Sequence, residues 1–223
     1  MTPTPATLAR SAEDRLRNEI FAGQWPAGAR LAEAAIARRL GVSRVPVREA
    51  FASLEREGLV EFTPTGRTVV KKLTARDFEE LYGMRLLLEP AGAREAFPLT
   101  ADQVRALERN IARTRRATKV QDVTRLDLDF HEAILSATRN RRLIKLWSSL
   151  RSELQLWLSN LHRQHRDQAL DTREQTAESH EEILRCFKTG TAMDCERLAR
   201  EHILGWREWL PLGETVNGRE SGR

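Results

Sequence analysis

Apolar residues first recur at helical spacing in residues 11–22, where Leu16, Ile20 and Phe21 predict one amphipathic helix. The Thr/Pro-rich leader over residues 1–10 carries no such pattern and is expected to be disordered. Gly23 and the run Trp25-Pro26-Ala27-Gly28 break the helix. A second, short helix over 32–40 ends at Gly41, a residue suited to a left-handed C-terminal position. Ser43 is a natural N-cap for a third helix through Glu57, closed by Gly58. The period then changes. Leu59-Val60-Glu61-Phe62 and Thr68-Val69-Val70 are apolar and β-branched, and Thr63-Pro64-Thr65-Gly66-Arg67 separates them, which predicts a two-stranded hairpin. Helix, helix–tight turn–helix, then hairpin is the order of a winged helix-turn-helix.

From residue 74 onward the pattern is helical only. Thr74 with Asp77 and Thr100 with Gln103 have the spacing of N-terminal capping boxes. Helices are expected near 75–96, 101–118, 121–137, 141–162, 172–189 and 192–210, with a disordered tail over 211–223. The expected fold is therefore mainly α: a winged helix-turn-helix over 11–73, followed by an all-α six-helix bundle over 74–210.

Charge sharpens this division. The chain has 223 residues and a formal net charge of +5. Residues 1–72 hold 12 Lys or Arg against 8 Asp or Glu, while the remaining 151 hold 25 against 24. The basic excess sits where a phosphate backbone would be met. The start, MTPTPATLAR, lacks an apolar core, and no run approaches the ~18 apolar residues of a membrane span, so a cytoplasmic protein without a membrane partner is expected. Cys186 and Cys195 form no C-x-x-C motif and read as ordinary reduced thiols.

Residues 31–58, LAEAAIARRLGVSRVPVREAFASLEREG, carry the most specific signal. Ile36, Leu40, Val42, Val47 and Leu54 can pack two helices around the turn Gly41-Val42-Ser43. Arg44 and Arg48, four residues apart, share the outward face of the second helix. Guanidinium groups there can grip phosphate or reach guanine O6 and N7 in the major groove. Gly66 and Arg67 at the hairpin tip would lie along the minor groove or backbone. On an isolated helix the same arginines would read as a solvated face, but a helix-turn-helix turn and a wing flank them here.

This segment resembles the GntR family of regulators: L-A, then L-G-V-S-R-x-P-V-R-E-A, then L-x-x-E-G-L-V and a Gly-tipped wing follow in order across residues 31–70. The remainder resembles that family's FadR-like branch with an all-helical FCD ligand domain, so the likeness spans about residues 11–210. The resemblance implies that Ser43, Arg44, Arg48 and Gly66 fall on DNA-contacting positions. Val45 stands where Thr is usual and offers only apolar contact, and Thr65 stands where a basic residue is frequent. Both departures bear on operator preference. The implied partner is a palindromic double-stranded operator bound by a homodimer.

A second constellation lies in the helical part. Asp127 and His131 are one turn apart on one helix, while His180 and His202 lie on two later helices. Three imidazoles and a carboxylate suit Zn²⁺, and equally Ni²⁺, Mn²⁺, Fe²⁺ or Co²⁺. Taken singly, each histidine reads as a hydrogen-bonded core or surface residue, and His162 and His165, in the polar stretch LHRQHRDQ, are read so, with His162 solvated. The resemblance implies that Asp127-Leu-Asp-Phe-His131, His180 and His202 form the metal set of an FCD domain. Asp129, two residues from Asp127, faces the other way and is the poorer ligand. A small organic acid, such as a sugar acid, would complete the coordination. Arg85 is a candidate for the effector's far end, or else an internal ion pair with Glu89. No H-E-x-x-H, G-x-S-x-G or phosphate-loop motif occurs, so a regulator is expected rather than an enzyme. A metalloenzyme and a purely dimerising helical domain are the alternatives.

Overall fold

The computed structural model describes residues 5–167 and 172–205. The first helix, α1, spans Pro5–Phe21, so the leader expected to be disordered is helical from residue 5. Two features explain the difference. Pro is tolerated in a helix's first turn, where its missing N–H is not needed. Half-buried Leu8 also extends the buried row Ala12, Leu16 and Ile20 at a spacing of four.

Two short helices follow, α2 (Glu33–Leu40) and α3 (Arg44–Arg56). Gly41 ends α2 at φ 68°, and its N–H reaches the carbonyls of Ala37 and Arg38. A Cβ at that φ would be strained, so the glycine sets the turn between the helices. Ile36, Val47, Phe51 and Leu54 meet Leu16 and Ile20 in one core. The wing is β1 (Val60–Phe62) antiparallel to β2 (Thr68–Val70), in the register Val60↔Val70 and Phe62↔Thr68. Residues 28–31 add a third segment, because Gly28 N–H donates to the Val70 carbonyl and Leu31 N–H to that of Thr68. At the tip, Gly66 N–H closes onto the Thr63 carbonyl with φ 71°, a turn whose last position favours glycine.

The rest is helical: α4 (Ala75–Ala96), α5 (Ala101–Arg116), α6 (Val120–Ala137), α7 (Arg141–Asp167), α8 (Thr172–Thr189) and α9 (Ala192–Gly205). Both expected capping boxes are present, at Thr74/Asp77 and Thr100/Gln103. The expected continuation of α9 to 210 and the tail over 211–223 lie outside the described residues. Two apolar clusters build the bundle core. One holds Phe130, Ile134, Ala177, Ile183 and Phe187, and the other Leu128, Leu135, Trp147, Leu154 and Leu158. Among the described residues no helix is long and apolar enough to cross a membrane.

The largest departure from expectation is α7, which runs past 162 to Asp167. Its middle docks on the winged helix. Leu156 is buried in that core, Lys71 Nζ lies 2.6 Å from Glu153, Ser152 Oγ donates to Glu57 at 3.1 Å, and Arg163 donates to the Phe21 carbonyl at 2.8 Å. Gly58 permits the approach: a Cβ there would come within 2.5 Å of the Glu153 side chain. Because Leu156 fills a core built by the other part of the chain, Leu156→Ala should cost about 2–4 kcal/mol through lost burial and the cavity left. Urea unfolding followed by a probe in residues 5–70 should show the midpoint falling, and an unchanged midpoint would mean that this contact is dispensable.

Candidate metal centre and DNA-reading face

The four polar residues singled out in the helical part come together. α6 presents Asp127 and His131 from successive turns, α8 brings His180 and α9 brings His202. One ligand atom from each lies within 4.8 Å of every other. His180 Nε2 is 3.2 Å from Asp127 Oδ1, His131 Nε2 is 3.2 Å from His202 Nε2, and His131 Nε2 is 3.8 Å from Asp127 Oδ1. Donors about 2.1 Å from a tetrahedral cation stand about 3.4 Å apart, so the spacing is that of a coordination shell. Phe130 stacks on the His180 ring at 3.9 Å and fixes its plane.

The polar atoms fit a cation. Asp127 and His180 are fully buried, yet neither Asp127 oxygen nor either His180 ring nitrogen makes a well-aligned hydrogen bond. Their 3.2 Å approach lacks hydrogen-bond alignment, and burying such groups unsatisfied costs several kcal/mol. Burial pushes the Asp127 carboxyl up, but His180, His131 and Arg85 together hold it below the usual carboxylate range. Burial lowers His180, and burial with the neighbouring His131 and His180 lowers His202 well below its ordinary value. Neutral imidazoles facing a carboxylate are the protonation state that a divalent ion requires.

Glu89 supports the cluster from α4. Its carboxylate lies 3.0 Å from His131 Nδ1 and accepts from Arg85 Nε at 2.6 Å and from Trp147 Nε1 at 3.0 Å. A proton held on Nδ1 leaves Nε2 to face the site, the carboxylate–histidine arrangement common behind metal ligands. Burial opposes ionisation of Glu89, yet Arg85 and His131 hold it well below the normal range. Sequence reasoning saw Glu89 only as a partner for Arg85. A charged i,i+4 pair inside an apolar helix was the available signal, but its distance to His131 depends on helix packing.

Of the two readings open for Arg85, the structure holds the ion pair. Arg85 is 2% exposed and bonds both oxygens of Glu89. It still adds positive field at Asp127, so it stands in the wall of the cluster. Asp129 faces away and pairs with Arg125 and Arg151. His162, expected to be solvated, is fully buried: α7 continues through it, and position 162 shares the inward face of Leu158 one turn earlier. His165 lies where side chains are outside the described residues.

At the other end, Ser43 occupies the N-cap of α3 without a side-chain cap hydrogen bond. Ser43, Arg44, Val45 and Arg48 are exposed, while Pro46 and Val47 turn inward. Gly66 and Arg67 are exposed at the wing tip. Arg48 is not idle: its guanidinium lies 3.1 Å from Glu33 on α2 while remaining 70% exposed. Position alone did not reveal Glu33, because its reach to Arg48 crosses the turn.

A winged helix with an exposed arginine-bearing second helix, joined to a helical bundle with a buried polar cluster, defines a DNA-binding regulator with an appended sensing-type domain. Residues 8–70 match the gntR family of bacterial regulatory proteins, and residues 80–205 match the FCD domain. The chain belongs to the GntR family and carries an FCD domain. It is 29% identical to the "Probable D-xylose utilization operon transcriptional repressor" of Paenarthrobacter nicotinovorans, over 96% of this chain and 92% of that one. It is 26% identical to the gluconate operon transcriptional repressor of Bacillus subtilis, over 78% of this chain and 73% of that one. A solved GntR-type regulator from Rhodococcus sp. RHA1 superposes with a TM-score of 0.75 at 26% identity, covering 90% of this chain and 95% of that one. These relatives are regulators, and this protein is a transcriptional regulator rather than an enzyme. Regulators of this family bind double-stranded operators.

The depressed imidazoles set a pH window for the metal-free protein. His180 and His202 are favoured neutral in the fold and bind protons more readily when unfolded, near the ordinary value of 6.5. The unfolded state therefore holds more protons once pH drops below that value, and stability falls with pH. Urea midpoints of chelator-treated protein should decrease steadily from about pH 7.5 to about pH 5. A flat profile would contradict the burial of these two rings.

Proposed function

We propose that this protein is an operator-binding repressor whose DNA affinity is set by a small organic acid bound at a metal ion in the FCD domain. The observation that carries the reading is the buried cluster itself, with four donor atoms from three helices within 4.8 Å. Asp127, His131, His180 and His202 would hold the ion, Zn²⁺ before Ni²⁺, Mn²⁺, Fe²⁺ or Co²⁺, since three imidazoles and one carboxylate suit zinc's small coordination number. The ion supplies a positive centre for a carboxylate. Glu89 keeps the His131 proton on Nδ1, Phe130 fixes His180, and buried Arg85 adds the cationic wall that favours an anion. A sugar acid is the favoured class, supported by the gluconate operon regulator among the relatives.

DNA reading falls to the other face. Arg44 and Arg48 enter the major groove, Ser43 donates to phosphate, Val45 offers an apolar contact, and Gly66 with Arg67 lies on the backbone beside the wing. The boundary between reading and sensing lies at residues 73–74. One winged helix covers one half-site, so a palindromic operator calls for a homodimer. Effector binding must favour one dimer arrangement over another, and a coupling of about 1–3 kcal/mol suffices for regulation.

Two experiments test this reading. Elemental analysis of purified protein should find one divalent ion per chain, lost in His131→Ala, His180→Ala and His202→Ala and retained in Asp129→Asn. Full occupancy in the three histidine variants would overturn the site. On DNA, Arg48→Ala should cost about 1–3 kcal/mol of operator affinity and relax preference at one base position. Arg67→Ala should weaken all sequences alike and lower the salt slope by about one unit. Binding titrations that leave both variants at wild-type affinity would remove α3 and the wing from the interface.

A further inference from the structure

The chain has two cysteines, and the fold brings them together at the corner where α8 turns into α9. Cys186 lies in the last turn of α8 and Cys195 in the first turn of α9, with Sγ to Sγ 3.5 Å. Neither belongs to the cluster of Asp127 and the three histidines. Cys195 is fully buried and Cys186 half-buried, so solvent reaches one sulfur and not the other.

The corner holds them in register. Gly190 N–H donates to the Cys186 carbonyl at 2.8 Å, and a Cβ at Gly190 would come 2.9 Å from Cys186 Sγ. Thr191 and Asp194 cap the start of α9, with Thr191 N–H donating to Asp194 at 3.1 Å. The two helix ends are thus tied by backbone bonds on both sides of the sulfur contact.

We infer that Cys186 and Cys195 are an oxidisable dithiol that closes an intramolecular disulfide in response to a hydroperoxide. The exposed Cys186 sulfur attacks the peroxide, the O–O bond breaks, and a sulfenic acid and an alcohol (water, from hydrogen peroxide) form. The Cys195 sulfur, already in contact, displaces water from the sulfenic acid and the S–S bond forms. The dithiol loses two electrons, the peroxide gains them, and the two thiol hydrogens leave in the alcohol and the water. Burial, with Cys186 alongside, pushes the Cys195 thiol up to about 12, which agrees with Cys186 reacting first.

The bond would act on the sensing domain. His180 precedes Cys186 on α8 and His202 follows Cys195 on α9, each by about two helical turns. The rings of His180 and His202 are 5.5 Å apart. A covalent tie at the corner therefore restrains the two helices that carry two of the three imidazoles. This consequence rests on the metal reading proposed above, whereas formation of the bond does not.

The test uses full-length, metal-loaded protein treated with a small excess of hydrogen peroxide. Intact mass under denaturing conditions should show the loss of two hydrogens per chain, with no free thiol, no crosslinked dimer and full reversal by dithiothreitol. Cys186→Ser and Cys195→Ser should each keep one thiol and show no such loss. Two oxygens added at Cys186, a disulfide between chains, or two surviving thiols would overturn the dithiol. Transfer of the metal to a coloured chelator should be severalfold slower after oxidation. Equal rates in protein with the mass-verified disulfide would overturn the link to the metal. Absence of metal from the purified protein would overturn the metal reading instead, while the mass result would still decide the dithiol.

Discussion

Glu89 is a buried carboxylate shared by three helices, and the sensing domain is organised around it. It pairs with Arg85 on its own helix, meets His131 of α6 and accepts from Trp147 of α7. A buried charge with one partner removed costs several kcal/mol, so α4, α6 and α7 are held to a geometry that satisfies all three donors. The orientation of the His131 ring follows from that requirement. So does the position of Trp147, a fully buried anchor near the start of the long helix α7.

That helix is the physical link between the two halves of the chain. Between Trp147 and Leu156 it passes from the support of the polar cluster to the core beneath α3. Ser152 bonds Glu57, the C-cap of α3, and Glu153 meets Lys71 beside the wing. A rigid helix touching both places is a route by which a change at the cluster can tilt the DNA-reading face. Its role is that of a lever whose two arrangements the operator and the effector would bias.

Much of the fold was legible because local rules and global packing agree here. Gly41 ends α2 in the left-handed conformation, and Thr74 and Thr100 cap their helices as their spacing required. The wing followed from two β-branched runs around a Pro-Gly turn. The errors came where one residue's signal was weak. Ala12 is too small to mark a buried row, so residues 5–10 looked like a leader. The polar run around His162 masked a helical face that still points inward beneath Leu158.

The sequence by itself determined the element order, the winged helix-turn-helix, the exposed arginines of α3 and the four residues of the polar cluster. These rest on periodicity, capping and motif spacing, which act over a few residues at a time. Only the tertiary structure decided that Arg85 bonds Glu89, that Glu89 reaches His131 and Trp147, that Arg48 meets Glu33, and that Leu156 enters the other core. It also brought Cys186 against Cys195 across a helix corner. Each of these contacts depends on the rotation and approach of packed helices, and no local pattern carries that information.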